Sequence, residues 1–558
     1  MENEKKTVDL ASMTRAELEE YAASVSTEKT VLESKLSAEI AALKSKLTWY
    51  EEQLRLNRRR KFGPSSEKVD FDQLSFFNEA ESESDDTLPE PEMTDVVGRT
   101  GATKQKKKKQ RGHKEKLTKA LPKQVIEYTL SGEDLVCPKC GNELHSMKKE
   151  VRRELTVIPA KIMVTEHVTH VYSCRNCENN EIEATILKAP SPVPVFRNSL
   201  ASSSFLADIL TKKYMDALPL YRQEQNLYRN GLKLSRQTMA NWVIRASELY
   251  LKPLYDLLHE ELLKKDIVQA DETTVEVLHE PGRKATTDSY MWLYRTSGCD
   301  SDRPVILFDY QPSRSGDCAV EFLKGFRGYL HTDGYVGYHK LTVAENGEKP
   351  QAIGVGCWAH ARRKYYDALQ AAPAGTNLKN TASARGLEYC DRLFRVEREA
   401  KEQKLSFEER KEYRLKHVRP VLKEFFAWAK ETLPKAGSKS KLHEALHYTV
   451  NQAEALSRYL EDGRLEISTN RAERSIKPFV IGRKNFLFMN TPKGAKASAV
   501  VYSVVETAKE CRLNPFEYLN YLFEVMPGLD LSDRKSLKKL LPYAPELPDH
   551  CRLKTEDE

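Results

Sequence analysis

Apolar positions recur along this chain with different periods, and each period predicts a different element. Between residues 15 and 57, Leu36, Ile40, Leu43, Leu47, Tyr50 and Leu54 alternate spacings of four and three. That is the a/d stripe of a coiled coil, and no Gly or Pro interrupts it before Gly63-Pro64. Nothing nearby offers an apolar face to cover the stripe. We therefore expect an oligomerisation helix over residues 1–62, building at least a dimer. Residues 63–121 lose all periodicity. An acidic run, NEAESESDDTLPEPE, gives way to a basic one, KQKKKKQRGHKEK, which predicts an unstructured linker.

Alternation returns in residues 122–188, where ELTVIPAKIMVTEHVTHVYSC reads as a half-buried hairpin. Residues 189–260 are helical in period. Two amphipathic segments flank Asn230-Gly231, and Ser235 is placed to cap the second. This fits a helix-turn-helix, and equally an ordinary helical hairpin. From about 265 the character changes and strand-like runs recur. DIVQADETTVEVL, SYMWLYRT, PVILFDYQ, GYLHTDGY and QAIGVGCWAH read as strands, with a helix, GDCAVEFLKGF, before the fourth. Residues 361 to about 462 turn helical and highly charged. A mixed segment follows over 463–526, and the chain after Pro527 reads as a polar, Pro-punctuated tail.

Composition narrows the class. No window approaches the roughly 18 consecutive apolar residues of a membrane span. The opening MENEKKTVDLASMTRAELEE has no apolar stretch after its charges, so no secretory signal is expected. The net charge of +7 is a weak argument for nucleic acid. Local runs argue more strongly: RRRK at 58–61, KKKK at 106–109 and ARRK at 361–364. Ten cysteines without a secretory signal imply a reducing compartment. Four of them form Cys137-Pro-Lys-Cys140 and Cys174-Arg-Asn-Cys177, separated by 33 residues. Each CxxC knuckle supplies two thiolates from one turn, so the four predict one closed, structural zinc site.

The candidate chemistry lies in carboxylates. Asp271 and Asp333 each follow an apolar strand run, the second with Gly334 behind it. Strand-borne acids in one sheet can converge, and their hard oxygens suit Mg²⁺ or Mn²⁺. Two such ions, roughly 4 Å apart, suit an in-line phosphoryl displacement. Either Asp alone also fits the start of a turn. Glu473 sits among Arg471, Arg474, Lys477, Arg483 and Lys484 in STNRAERSIKPFVIGRKNFLF. There a carboxylate meets cations as metal and phosphate would require. Its spacing from Asn470 equally fits a capping box, and both readings stand. In CWAHARRKYYDAL (357–369), His360, Arg362 and Arg363 lie around a helix start. They fit phosphate contacts, or a basic surface helix with Trp358 in the core.

Taken in order, these segments resemble the transposases of the insertion sequence 66 group, within the acidic-triad (DDE) superfamily. The carriers are NRRRKFGPSSEK (57–68), CPKCG (137–141) with CRNCE (174–178), LPLYRQEQNLYRNGLKLSRQTMANWV (218–243), ADETTVEVL (270–278), HTDGYVGY (331–338), GCWAHARRKYYDAL (356–369) and NRAERSIKPFVIGRKNFLF (470–488). LLPYAPE (540–546) matches the family's ending loosely.

The resemblance implies an α/β multi-domain protein. Its RNase H-like catalytic core would span 261–505, with a helical insertion at about 365–462. A coiled coil, a four-cysteine zinc module and a helix-turn-helix-like segment would precede it, and a tail over 506–558 would follow. It assigns the triad to Asp271, Asp333 and Glu473, holding two Mg²⁺ or Mn²⁺ ions. His360, Arg362, Arg363, Arg474, Lys477, Arg483 and Lys484 become candidate DNA contacts. The implied activity is cleavage and joining of double-stranded DNA, at terminal inverted repeats and target sites. The implied setting is the nucleoid in a bacterial cytoplasm, with small accessory proteins of the same element as further partners. A metal-dependent nuclease and an inactive DNA-binding regulator are the rival readings.

Overall fold

A computed structural model describes residues 13–62, 162–173, 186–344, 349–373 and 376–553. Residues 1–63 with 165–558 form one unit and residues 64–164 another, and the second lies almost wholly outside the described residues. The expected linker and all four paired cysteines fall outside them too.

Helix α1 runs from Arg15 to Phe62, ending just before Gly63. Of its stripe, Leu36, Ile40, Leu43, Leu47 and Tyr50 are exposed. The hairpin expected between the cysteine pairs lies over residues 154–174, of which 162–173 are described. Among the described residues, 162–170 contain no strand. Strand β1 (Val171–Ser173) instead pairs with β2 (Ile186–Lys188), which lies beyond the second pair. Alternation marks a strand's faces but does not name its partner.

Helices α2 (Ser203–Tyr214), α3 (Leu220–Arg229), α4 (Arg236–Ala246) and α5 (Lys252–Leu263) lead into the sheet. Gly231, at φ +85°, makes the turn between α3 and α4. The Ser235 hydroxyl accepts from Thr238 N at 3.2 Å, capping α4 as its position predicts.

Five strands form where the strand-like runs lie: β3 (Ile267–Glu276), β4 (Asp288–Thr296), β5 (Ile306–Gln311), β6 (Tyr329–Thr332) and β7 (Ile353–Gly356). Their order across the sheet is β5-β4-β3-β6-β7. The first three make an antiparallel meander, and β6 and β7 run parallel to β3. The crossover between β5 and β6 carries α6 (Gly316–Phe322).

Beyond β7 come α7 (Trp358–Gln370), α8 (Ala382–Glu402), α9 (Phe407–His417), α10 (Arg419–Thr432) and α11 (Lys441–Asn451). They enclose their own core, in which Trp358, Tyr365 and Phe425 are fully buried. The buried Arg414 is satisfied there by Glu397 at 2.6 Å and by the carbonyls of Tyr459, Asp462 and Leu465.

The chain then returns to the sheet as α12 (Asn470–Phe486) and α13 (Pro492–Glu510). Both lie on the face that carries Leu293 and Phe308, where Phe308 meets Phe479 and Tyr502. Ser503 and Thr507 of α13 also bond the backbone of β5, so the edge strand's polar groups are occupied. The segment read as a tail is folded onto this core. In α14 (Pro515–Val525), Tyr518 is buried and donates to Leu540 O at 2.6 Å. Leu537, Leu540, Leu541, Leu547 and Cys551 are buried as well. These apolar residues are too sparse to set up a periodicity, but all belong to the buried cluster that includes residues of α2, α5 and α14.

Candidate functional site

The register of β3 against β6 places the two aspartates. Gln269 pairs with His331 across these parallel strands. Asp271 and Asp333 each lie two residues further along, so equal rise carries both to one face, on strands about 4.8 Å apart. Asp271 stays within β3, while Asp333 sits just past the end of β6. The Asp333 Oδ1 accepts from Tyr335 N at 2.9 Å, which turns the chain away. Gly334 permits that turn. Its φ is +90°, and a Cβ there would lie 3.2 Å from Gln452 and 3.3 Å from Tyr448. Tyr448 in turn donates to the Asp333 carbonyl at 2.7 Å.

Glu473 arrives over the same face. It lies in the first turn of α12, but not as a cap. The helix begins after Thr469 without a side-chain cap. The capping-box reading is therefore not realised, and the carboxylate points elsewhere. Arg363 Nη2 is 3.4 Å from its Oε2, and His360 Nε2 is 3.5 Å from its Oε1. Oε1 is buried and accepts no hydrogen bond.

A polar network docks this turn of α12 on the sheet. Arg295 of β4 donates to Ser475 at 2.5 Å and to Glu510 at 2.8 Å. Arg471 joins Glu510 at 3.2 Å and Glu466 at 2.9 Å, and Gln269 closes the circuit by donating to Glu466.

Charge is out of balance at this face. Burial pushes the Asp271 carboxyl up to about 7, and the carboxylates of Glu272, Asp333 and Glu473 add to the shift. Burial raises Glu272 too, with Asp333 adding to the shift, although its hydrogen bonds draw it back. It is covered by Tyr338, at 2.7 Å, and by Arg314. Burial alone would lower the His360 pKa. The Cys357 thiol beside it, together with Glu473 and Asp333, holds it above the ordinary value instead. Behind the acids, burial takes His331 down to about 4, so it is neutral and bonds Gly356 O at 3.1 Å.

Among the described residues, no three His, Cys, Asp or Glu side chains form a ready-made metal cage. The donors nonetheless suit a hard divalent cation. Three carboxylates lie within electrostatic reach of one another, and one of their oxygens is buried and unbonded.

The expected basic residues divide. His360 and Arg363, three apart on α7, face Glu473. Arg362 points the other way and pairs with Asp391 of α8 at 2.7 Å. Arg474 and Lys484 are exposed and Lys477 is half-buried. Arg483 turns inward, donating to Thr273 Oγ1 at 3.0 Å and to Thr274 Oγ1 at 3.1 Å, so it anchors α12 to β3. Sequence reasoning missed Tyr448 and Cys357. Tyr448 carried no local signal, being one aromatic among many in a helical stretch. Cys357 was legible only as the residue three before His360.

Comparison with known proteins agrees in order and extent. The model for the "Transposase IS66 family" matches residues 198–497. That for the "zinc-finger binding domain of transposase IS66" matches 134–178, a span containing all four paired cysteines. A model described as "Transposase C of IS166 homeodomain" matches 49–126, and the "IS66 C-terminal element" matches 503–543. Among relatives, the uncharacterized protein y4qI of Sinorhizobium fredii is 32% identical over 424 residues, covering 74% of this chain and 75% of its own. The uncharacterized y4jD of the same organism is 30% identical over 437 residues, covering 76% and 81%. With more than half its length matched by the family model and a relative this similar over most of both chains, the chain belongs to the IS66 family of transposases.

Proposed function

We propose that this chain is a DNA transposase whose Asp271, Asp333 and Glu473 form the catalytic centre for strand cleavage and strand transfer. One observation carries the reading. Two aspartates stand at equal offset on adjoining parallel strands, and a glutamate from a distant helix faces them with an oxygen left unbonded. The sheet order supports an RNase H-like core, with α7 to α11 as the helical insertion before the third acid.

Asp271, Asp333 and Glu473 would hold two Mg²⁺ or Mn²⁺ ions, which when bound supply Lewis acidity at the attacking and leaving oxygens. The chain's own groups do the rest. The Arg295–Glu510–Arg471–Glu466 network keeps the first turn of α12 over the sheet. Arg363 is half exposed and can exchange Glu473 for a phosphate oxygen. Lys477 and Lys484 follow Glu473 by four and eleven residues, so they line one ridge leading away from the acids. That ridge suits a DNA backbone. Arg483, turned inward onto Thr273 and Thr274, drops out of the contact set.

The α3–α4 pair and the zinc module fit recognition of terminal repeats, and the exposed stripe residues of α1 fit pairing with a second copy. Both ends of the element would then meet in one complex, with small accessory proteins as possible further partners at the nucleoid.

The test is a cleavage and joining assay with Mn²⁺, on DNA carrying the inverted repeats that flank the gene. Asp271→Asn, Asp333→Asn and Glu473→Gln should each lose both activities and still bind the ends. A wild-type protein that cuts but never joins precut ends is a nuclease. One that binds without cutting is a regulator. Full activity in any variant removes that residue from the centre.

A further inference from the structure

A recess of about 290 Å³ opens beside Asp333, lined by Lys364, Glu444, His447, Tyr448, Asn451 and Gln452. It lies between α7 and α11, outside the sheet and apart from the acids themselves. Yet its wall and the acid share one turn of chain. The Tyr448 hydroxyl holds the Asp333 carbonyl at 2.7 Å, and Gly334 lies against Tyr448 and Gln452.

We propose that this recess receives one unstacked nucleobase of the cleaved strand, from the nucleotide at the scissile phosphate or its neighbour. The inference rests on the transposase reading and names a subsite within it. Size is the first argument. Pockets that bury a drug-sized ligand run from about 300 to 1,000 Å³, so this one suits a single ring system.

Lining chemistry is the second. Tyr448 offers an aromatic surface, with Lys364 Nζ 5.2 Å from its ring centre. Asn451, Gln452 and His447 offer donors and acceptors suited to a base edge. Charge is the third. Lys364 is the lining's cation and Glu444 its anion, the latter paired with Lys441 at 2.9 Å. Glu444 is thereby neutralised, so the lining presents no bare anion to a strand that brings its own phosphates. Enzymes that do chemistry on a base take it out of the stack into such a pocket, and a base of a single-stranded arm can be held by an aromatic side chain without any chemistry on it.

The test uses the full-length protein, with Ca²⁺ in place of Mn²⁺ to measure binding without cutting. The probe is a forked duplex with a single-stranded 3′ arm, compared with the same fork carrying an abasic site at each arm position in turn. An abasic site at one position should weaken wild-type binding about tenfold. His447→Ala and Asn451→Ala should weaken binding of the intact fork by a similar factor, and lose nothing further on that abasic fork. Both residues are exposed, so the variants should keep the wild-type Tm. Losses from variant and abasic site that simply multiply would overturn the subsite. So would a wild-type protein that cuts the fork in Mn²⁺ but binds every abasic fork within about twofold of the intact one. A wild-type protein that neither binds nor cuts the fork removes the transposase reading itself, and the subsite with it.

Discussion

Arg363 reaches Glu473 across 110 residues of sequence, its Nη2 3.4 Å from the carboxylate, while remaining 52% exposed. A pair this exposed is held weakly, by about 0–1 kcal/mol. It can therefore yield to a better partner. Arg363→Gln should leave Glu473 more open to a divalent ion, so Mn²⁺ should bind the DNA-free protein about two- to fivefold more tightly. End-binding should weaken at the same time. Calorimetry of both would check this, and weaker Mn²⁺ binding by the variant would mean that Arg363 does not compete at Glu473.

Asp271 stores a pH-dependent penalty. Its pKa rises from 3.8 unfolded to about 7 folded. Below about pH 4 both states hold the proton, and the group has no effect on stability. Between 4 and 7 the unfolded state ionises first, so stability falls as pH rises, and the loss is complete above 7. Asp271→Asn mimics the protonated form. It should stabilise the DNA-free protein by about 2–4 kcal/mol at pH 8 and hardly at all at pH 4, while strand cleavage is lost. Denaturant melts at both pH values would show it. A variant less stable than wild type at pH 8 would contradict the buried, crowded carboxylate.

Two neighbours on α12 should behave oppositely. Arg483→Ala removes the anchor to Thr273 and Thr274 and should cost about 1–3 kcal/mol of stability. Lys484→Ala, at an exposed position, should cost less stability than Arg483→Ala and weaken DNA binding. The slope of log affinity against log salt should then fall by about one. Equal effects on DNA binding at both positions would argue against the inward placement of Arg483.

The flanking modules have their own measurements. Metal analysis should find about one zinc per chain, lost on Cys137→Ser or Cys174→Ser. Deleting residues 1–62 should lower the mass in solution. A truncated chain that stays dimeric would move assembly to another surface.

Much of the architecture was legible in the residues. Apolar, β-branched runs marked all five strands of the sheet, because much of each is buried on both faces, as the last six residues of β4 are. Asn230-Gly231 and Ser235 marked the α3–α4 turn, because a positive φ and a capped helix start are local requirements. Motif order sufficed to name the family, since order is a property of sequence.

Partnership was not legible. The sequence left Glu473 between capping and catalysis, and the fold removed the cap by starting α12 at Asn470 and turning the carboxylate to His360 and Arg363. Five cations looked alike around Glu473, yet Arg483 faces inward. Arg362 and Arg363 are adjacent, but a helix turns successive side chains apart, so one meets Asp391 and the other Glu473. Tyr448 gave no sign of holding the loop of Asp333 from 115 residues away. The sequence by itself determined the elements, the family and the two strand-borne aspartates. Only the tertiary structure decided which charged groups face the acids, because contacts across such separations depend on how helices pack, and no local period encodes that.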